Sequence, residues 1–265
     1  LENDIDYSLM ALLLELPSRN IFENLSKDID PILVFKRKKD LMNTISLGLK
    51  EVLETNIVKL YKSNIQDNNS LGERSLLQKF LEYLILIESS IGIEIAKKIT
   101  ISDNMTLSIM GLRSLCLANN QLAINELNNF YKRWKNNDLV IEKWFEMMST
   151  LNIASEGLNF IKNLLKHKDF DYKNPNKLRS VLSTFQRENV LLFHADDSSG
   201  YKFISEQIAI IDKNNPQAAA RLILPLTRFK NYTTERKNKI KNVLKSINKP
   251  SVSNDLSEII EKALT

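Results

Sequence analysis

Hydrophobic positions recur along this chain with the period of an α-helix rather than a strand. Between Ser70 and Ser90, Leu76, Leu77, Phe80, Leu81 and Leu84 fall at i, i+1, i+4, i+5 and i+8 and make one apolar stripe. Ile141, Trp144, Phe145 and Met148 follow the spacing i, i+3, i+4 and i+7, and Leu178, Val181, Leu182 and Phe185 repeat it. Ile204, Ile208 and Ile211 line the helix after that. No stretch alternates with period two, and no Asn-Gly or Asp-Gly pair marks a hairpin. The pattern predicts an all-α chain.

The helix starts carry a shared signature. Asp30-Pro31, Asn174-Pro175 and Asn215-Pro216 each set a capping side chain before a proline. The Asx oxygen accepts from an early free N–H, and proline at the first helical position gives up a donor that had no partner. Asp196-Asp197-Ser198-Ser199 offers a further cap before a helix from about Gly200 to Asp212. Connections such as Lys213–Asn215 span a few residues, which favours antiparallel neighbours. Pro175 and Pro216 stand 41 residues apart, inside the period of about 40–47 residues typical of stacked helix pairs. Each amphipathic helix must bury its stripe against neighbours, so the expected architecture is a superhelical solenoid of antiparallel helix pairs, ARM- or HEAT-like. No Gly/Ser-rich or Pro-rich linker divides it, and residues 1–265 read as one domain.

Composition agrees. The 265 residues include only 6 Gly and 6 Pro, and 43% are apolar, enough for a sizeable core. The single cysteine, Cys116, follows Leu112 and Leu115 in an apolar run and reads as a buried structural thiol. No apolar stretch nears the roughly 20 residues of a membrane span; the best, Tyr83 to Ile87, meets Glu88 at once. The opening Leu1-Glu2-Asn3-Asp4 has neither an initiator Met nor the basic-then-apolar order of a signal peptide. The expectation is a cytoplasmic fragment of a longer protein. The net charge of +5 raises a nucleic-acid partner, but basic and acidic residues alternate and the only dense run is Lys36-Arg37-Lys38-Lys39. A solvated helix face accounts for that run.

The search for catalytic groups is negative. His167 and His194 lie 27 residues apart and neither belongs to a His-Glu-x-x-His pair. His167 sits near a predicted helix end, where a cation suits the helix dipole. His194, in Phe193-His194-Ala195-Asp196-Asp197, is either a lone metal or acid–base constellation or a hydrogen-bonded turn. Gly-rich phosphate loops and Gly-x-Ser-x-Gly elbows are absent. The sequence thus implies no catalytic residue, metal ligand or cofactor site of its own.

The stretch FDYKNPNKLRSVLSTFQRENVLLFHADDSSGY, Phe170 to Tyr201, resembles the C-terminal region of the bacterial aminopeptidase N family of zinc metalloaminopeptidases. The resemblance continues through Asn215-Pro216-Gln217, Arg221-Leu222-Ile223-Leu224-Pro225-Leu226 and Glu261-Lys262-Ala263-Leu264. Upstream, Leu14–Ser18, Asp28–Pro31 and Leu139–Phe145 also fit, so it covers essentially the whole chain. It implies an armadillo-like helical domain that begins slightly inside the family's own. That domain closes over the active site of a zinc-dependent exopeptidase and leaves a cavity or channel for peptide. By the same resemblance, zinc and its ligands belong to an upstream catalytic domain, and the partners are peptide substrates and the other domains of the same polypeptide, with no nucleic acid and no membrane.

Two residues carry over as substrate-binding, Arg179 and Arg221, which match positions facing that cavity. On its helix Arg179 groups with Ser183 and Gln186, opposite the apolar stripe. Arg221 shares a polar side with Gln217 and Arg228, while Leu222, Leu226 and Phe229 form the buried side. Pro225 lacks the N–H that would bond the carbonyl of Arg221, so a kink or break is expected there. The family pattern has Gly where this chain has Ser198. The competing reading is a free-standing helical-repeat scaffold for protein or RNA. That reading would need stacking aromatics on a basic stripe, whereas Phe80, Trp144, Phe145 and Phe185 fall on apolar stripes.

Overall fold

The stripes become helix faces buried against their neighbours in the computed structural model, which describes residues 6–65, 71–118, 121–248 and 251–265, without the side chains of 64 and 65. Leu1 to Asp4 and Ser70 lie outside the described residues. In chain order the helices are α1 (Tyr7–Leu13), α2 (Arg19–Leu25), α3 (Pro31–Ile65), α4 (Leu71–Leu86), α5 (Ser90–Thr100), α6 (Met105–Ala118), α7 (Gln121–Trp134) and α8 (Asp138–Thr150). There follow α9 (Leu158–Leu164), α10 (Pro175–Leu178), a π-turn (Arg179–Ser183), α11 (Thr184–Glu188), α12 (Val190–Phe193), α13 (Ser199–Asp212), α14 (Pro216–Thr227), α15 (Thr234–Ile247) and α16 (Asn254–Leu264). No strand forms among the described residues; one isolated parallel bridge joins Ile29 and Tyr232. The chain is all-α, as the periodicity predicts.

The helices group into two compact units, one of Leu1–Pro17 with Lys36–Asn136 and one of Ser18–Phe35 with Asn137–Thr265. In the first, α4 packs on α1, α5 and α6, and α6 packs on α5 and α7. The predicted stripe Leu76, Leu77, Phe80, Leu81 and Leu84 is its centre, with Tyr83 and Ile85 also buried. Burying each such side chain contributes about 1.5–3 kcal/mol. Tyr83 keeps a polar tip satisfied by donating to the Leu14 carbonyl at 2.6 Å. The α5–α6 crossing is close because residue 111 is glycine: a Cβ there would meet the Ala96 carbonyl oxygen at 2.6 Å. Cys116, on α6, is half-buried rather than enclosed, since it turns off the face that buries Leu112 and Leu115.

In the second unit α8 packs against α9, α10, the π-turn and α11; α13 packs against α12, α14 and α15; α14 and α15 both meet α16. The three Asx-Pro starts behave as their chemistry dictates. Asp30 Oδ1 accepts from Ile32 N at 2.8 Å, Asn174 Oδ1 from Asn176 N at 2.9 Å, and Asn215 Oδ1 from Ala218 N at 3.0 Å. Ile141, Trp144, Phe145 and Met148 are buried, as are Val181, Leu182 and Phe185 and the Ile204–Ile208–Ile211 stripe.

Two expectations change. The run from Pro175 to Glu188 is not a regular α-helix: in the π-turn the N–H of Thr184 bonds the carbonyl of Arg179, five residues back. A π-turn inserts one residue into the helix, so the faces after it fall out of phase with those before it by about the 100° one residue occupies in a regular helix. Gln186 therefore leaves the polar face of Arg179 and is buried at 1% exposure. In α14, Pro225 causes no break, and the helix runs on to Thr227.

Candidate functional site

Arg179 and Arg221 come together on the second unit. A cleft of about 240 Å³ is lined from one side by Pro175, Asn176, Arg179 and Ser183 and from the other by Gln217 and Arg221. Asn174-Pro175 starts the helix that carries the first arginine and Asn215-Pro216 the helix that carries the second. The same cap sets both, 41 residues apart. No acidic residue lines the cleft. Both arginines are exposed, and among the described residues neither side chain has a hydrogen bond or an ion pair. Most other arginines of this unit are engaged: Arg19 with Glu23, Arg187 with Glu188, and Arg236 with Asp30 and Asp196. Two unneutralised guanidiniums beside the N-terminus of α14 make the cleft a place for a carboxylate or carbonyl oxygens. The apolar backing is as predicted, with Leu222, Leu226 and Phe229 buried and Gln217 and Arg228 exposed. The signal that sequence reading missed is the π-turn. It begins at Arg179, and such turns concentrate at functional sites.

The His194 constellation resolves into structural bonds. His194 is 2% exposed, and its Nδ1 lies 2.7 Å from the Tyr201 hydroxyl. Asp196 pairs with Arg236 at 3.2 Å, and Asp197 Oδ1 accepts from Ser199 N at 2.9 Å, capping α13. The three side chains thus face three different partners. Among the described residues no group of three or more His, Cys, Asp or Glu side chains converges to hold a metal ion. Burial first, then the nearby Arg19 and Arg236, hold the imidazole well below its ordinary titration range.

The turn that follows is equally specific. Ser198 adopts φ +63°, in the left-handed region that favours glycine, the residue that the resemblance leads one to expect there. A Cβ on Gly200 would lie 2.2 Å from the Leu192 carbonyl oxygen, so only glycine lets α13 start this close to α12. His167 also differs from expectation. Its ring lies against Trp144 and Phe145, its Nδ1 accepts from Asp169 N at 3.2 Å, and burial lowers its pKa. It is a neutral packing residue, not a helix-end cation. No helix among the described residues is long and apolar enough to cross a membrane.

Residues 1–265 match a family described as a domain of unknown function (DUF3458_C), ARM repeats. The chain is 32% identical over its whole length to aminopeptidase N of Escherichia coli, and 30% identical over 98% of its length to aminopeptidase N of Haemophilus influenzae. It spans 31% and 30% of the length of these two relatives. In fold it is similar to a crystal structure of Legionella pneumophila aminopeptidase A in complex with aspartic acid. The TM-score is 0.86 at 24% identity, covering 99% of this chain and 32% of that one. The chain therefore belongs to the DUF3458_C family of ARM-repeat domains and is homologous, end to end, to about a third of aminopeptidase N.

Proposed function

We propose that this chain is the C-terminal accessory domain of a cytoplasmic zinc-dependent aminopeptidase that removes N-terminal residues from peptides. In this reading it covers the active site carried by upstream domains, walls the substrate cavity and holds peptide through Arg179 and Arg221. Zinc and the catalytic groups lie in the upstream domains, and this chain alone neither binds the metal nor hydrolyses peptides. The observation that carries the proposal is the pair of guanidiniums, without anionic partners, on one cleft with no acid in its lining. Hydrogen bonds from a guanidinium to carbonyl or carboxylate oxygens contribute about 1.5–3 kcal/mol each. The homology to aminopeptidase N supports the same reading.

The test uses the full-length enzyme with Arg179→Ala and Arg221→Ala together. KM for peptides of three or more residues is expected to rise about 10- to 100-fold, with an aminoacyl-anilide, which offers no further peptide carbonyls to the arginines, turned over as before. Unchanged kinetics on the longer peptides would remove the two arginines from the reading. Measuring zinc and anilide hydrolysis on the isolated chain addresses the rest: stoichiometric zinc or activity there would refute the accessory role.

A further inference from the structure

Behind the α12–α13 turn, the second unit encloses a knot of polar side chains that the proposed peptide site does not use. It ties Arg19–Asp30 to Asn231–Arg236. Ile29 N donates to the Asn231 carbonyl at 2.9 Å, Thr233 N to the Ile29 carbonyl at 3.0 Å, and Asn231 Nδ2 to the Glu23 carbonyl at 2.9 Å. Arg236, 3% exposed, donates through Nη2 to both oxygens of Asp30 and to Asp196, and through Nη1 to the His194 carbonyl at 2.7 Å.

At the centre the hydrogens can be assigned. The Tyr201 hydroxyl accepts from Arg236 Nη1 at 3.3 Å, so its own proton goes to His194 Nδ1. Nδ1 is then an acceptor, and the ring proton sits on Nε2, which is buried without a partner. The neighbouring carboxylates each face a guanidinium and not the ring. Asp30 and Asp196 face Arg236, and Glu23 takes Arg19 on one oxygen and the Tyr232 hydroxyl on the other. The Tyr232 ring packs edge-on to the imidazole. A second ring proton would reverse the Tyr201 bond and set a third cation beside Arg19 and Arg236, on a buried ring that no carboxylate contacts.

We propose that His194 is an acid-sensitive latch: its neutral imidazole keeps the segment Arg19–Asp30 seated on Asn231–Arg236, and proton uptake releases that segment. The depressed pKa agrees. The sign follows from linkage. A histidine whose pKa is lowered in the closed state holds that state fully above about pH 6.5 and loses hold as pH falls below it. From about pH 8 to about pH 5 the open population then rises by up to about 30-fold. Glu23, whose carboxyl is raised by burial despite Arg19, acts in the opposite direction. It is retained in the variant below.

The experiment is amide hydrogen exchange on the whole chain near both pH values, corrected for intrinsic rates, in wild type and His194→Asn, whose Oδ1 takes the place of the Nδ1 acceptor for Tyr201. Wild-type exchange of the amides in residues 19–33 and 231–236 is expected to rise towards that limit on acidification. In the variant it is expected to stay within a few-fold. An unchanged wild type, or an equal rise in both proteins, overturns the latch. Should the variant not fold, NMR titration of the labelled imidazole in wild type decides: a ring that charges while those amides remain protected overturns it equally.

Discussion

Single residues carry this fold where the backbone has no alternative. Ser198 is held at φ +63°, and its side chain makes no hydrogen bond among the described residues. Ser198→Gly is therefore expected to stabilise the chain by about 1 kcal/mol, read as a higher urea midpoint with unchanged slope. A destabilised variant would show that the hydroxyl does something the hydrogen-bond pattern omits. Two positions on, Gly200→Ala drives a methyl into two carbonyl oxygens of α12 and is expected to cost about 3 kcal/mol. Arg236→Met leaves the His194 carbonyl without its donor and Asp30 with the Ile32 N–H alone. It is expected to cost about 3 kcal/mol, although the exposure of Asp196 softens the loss on that side. Arg179 and Arg221 are different in kind. Neither has a partner to lose, so their replacement by Ala is expected to leave the melting temperature within about 2 °C while altering peptide kinetics.

At the scale of elements, what the sequence shows depends on how local the cause is. The Asx-Pro starts at Asp30, Asn174 and Asn215 are legible because cap and proline act within four residues. The stripes of α4, α8 and α13 are legible because burial follows a fixed period. The π-turn is not. Nothing in Arg179-Ser180-Val181-Leu182-Ser183 departs from an ordinary helix, and the π-turn packs against α8, a contact that only the folded chain supplies. That one insertion turns Gln186 off the polar face, while Arg179, at its start, lines the cleft. The knot around His194 was hidden for a like reason. The turn Phe193–Asp197 hints at it, but Asp30 and Tyr232 are remote in sequence. The caps themselves make a test: Asn215→Ala removes the acceptor for Ala218 N and is expected to cost about 1 kcal/mol in thermal or urea unfolding. An effect below a few tenths would mean that proline alone fixes the start of α14.

For the whole molecule, the second unit is discontinuous in sequence, joining Ser18–Phe35 to Asn137–Thr265. A fragment trimmed to 137–265 would lack Asp30, Glu23 and Ile29, and would leave Arg236, Tyr232 and His194 uncovered. It is expected to unfold at lower urea than the same unit within the full chain, and to recover when a peptide of residues 18–35 is added. Equal stability of the two would show that the early segment only decorates the unit. The same connection has a consequence in time. Asp30 and Arg236 are 206 residues apart, and a ribosome adding about 5–20 residues each second needs about 10 to 40 s to cross that distance. Throughout that interval Ile29, buried in the finished protein, waits for the backbone it will bridge. The earliest part of this unit to be made is thus among the last to be secured, and the nascent chain must be shielded there longest.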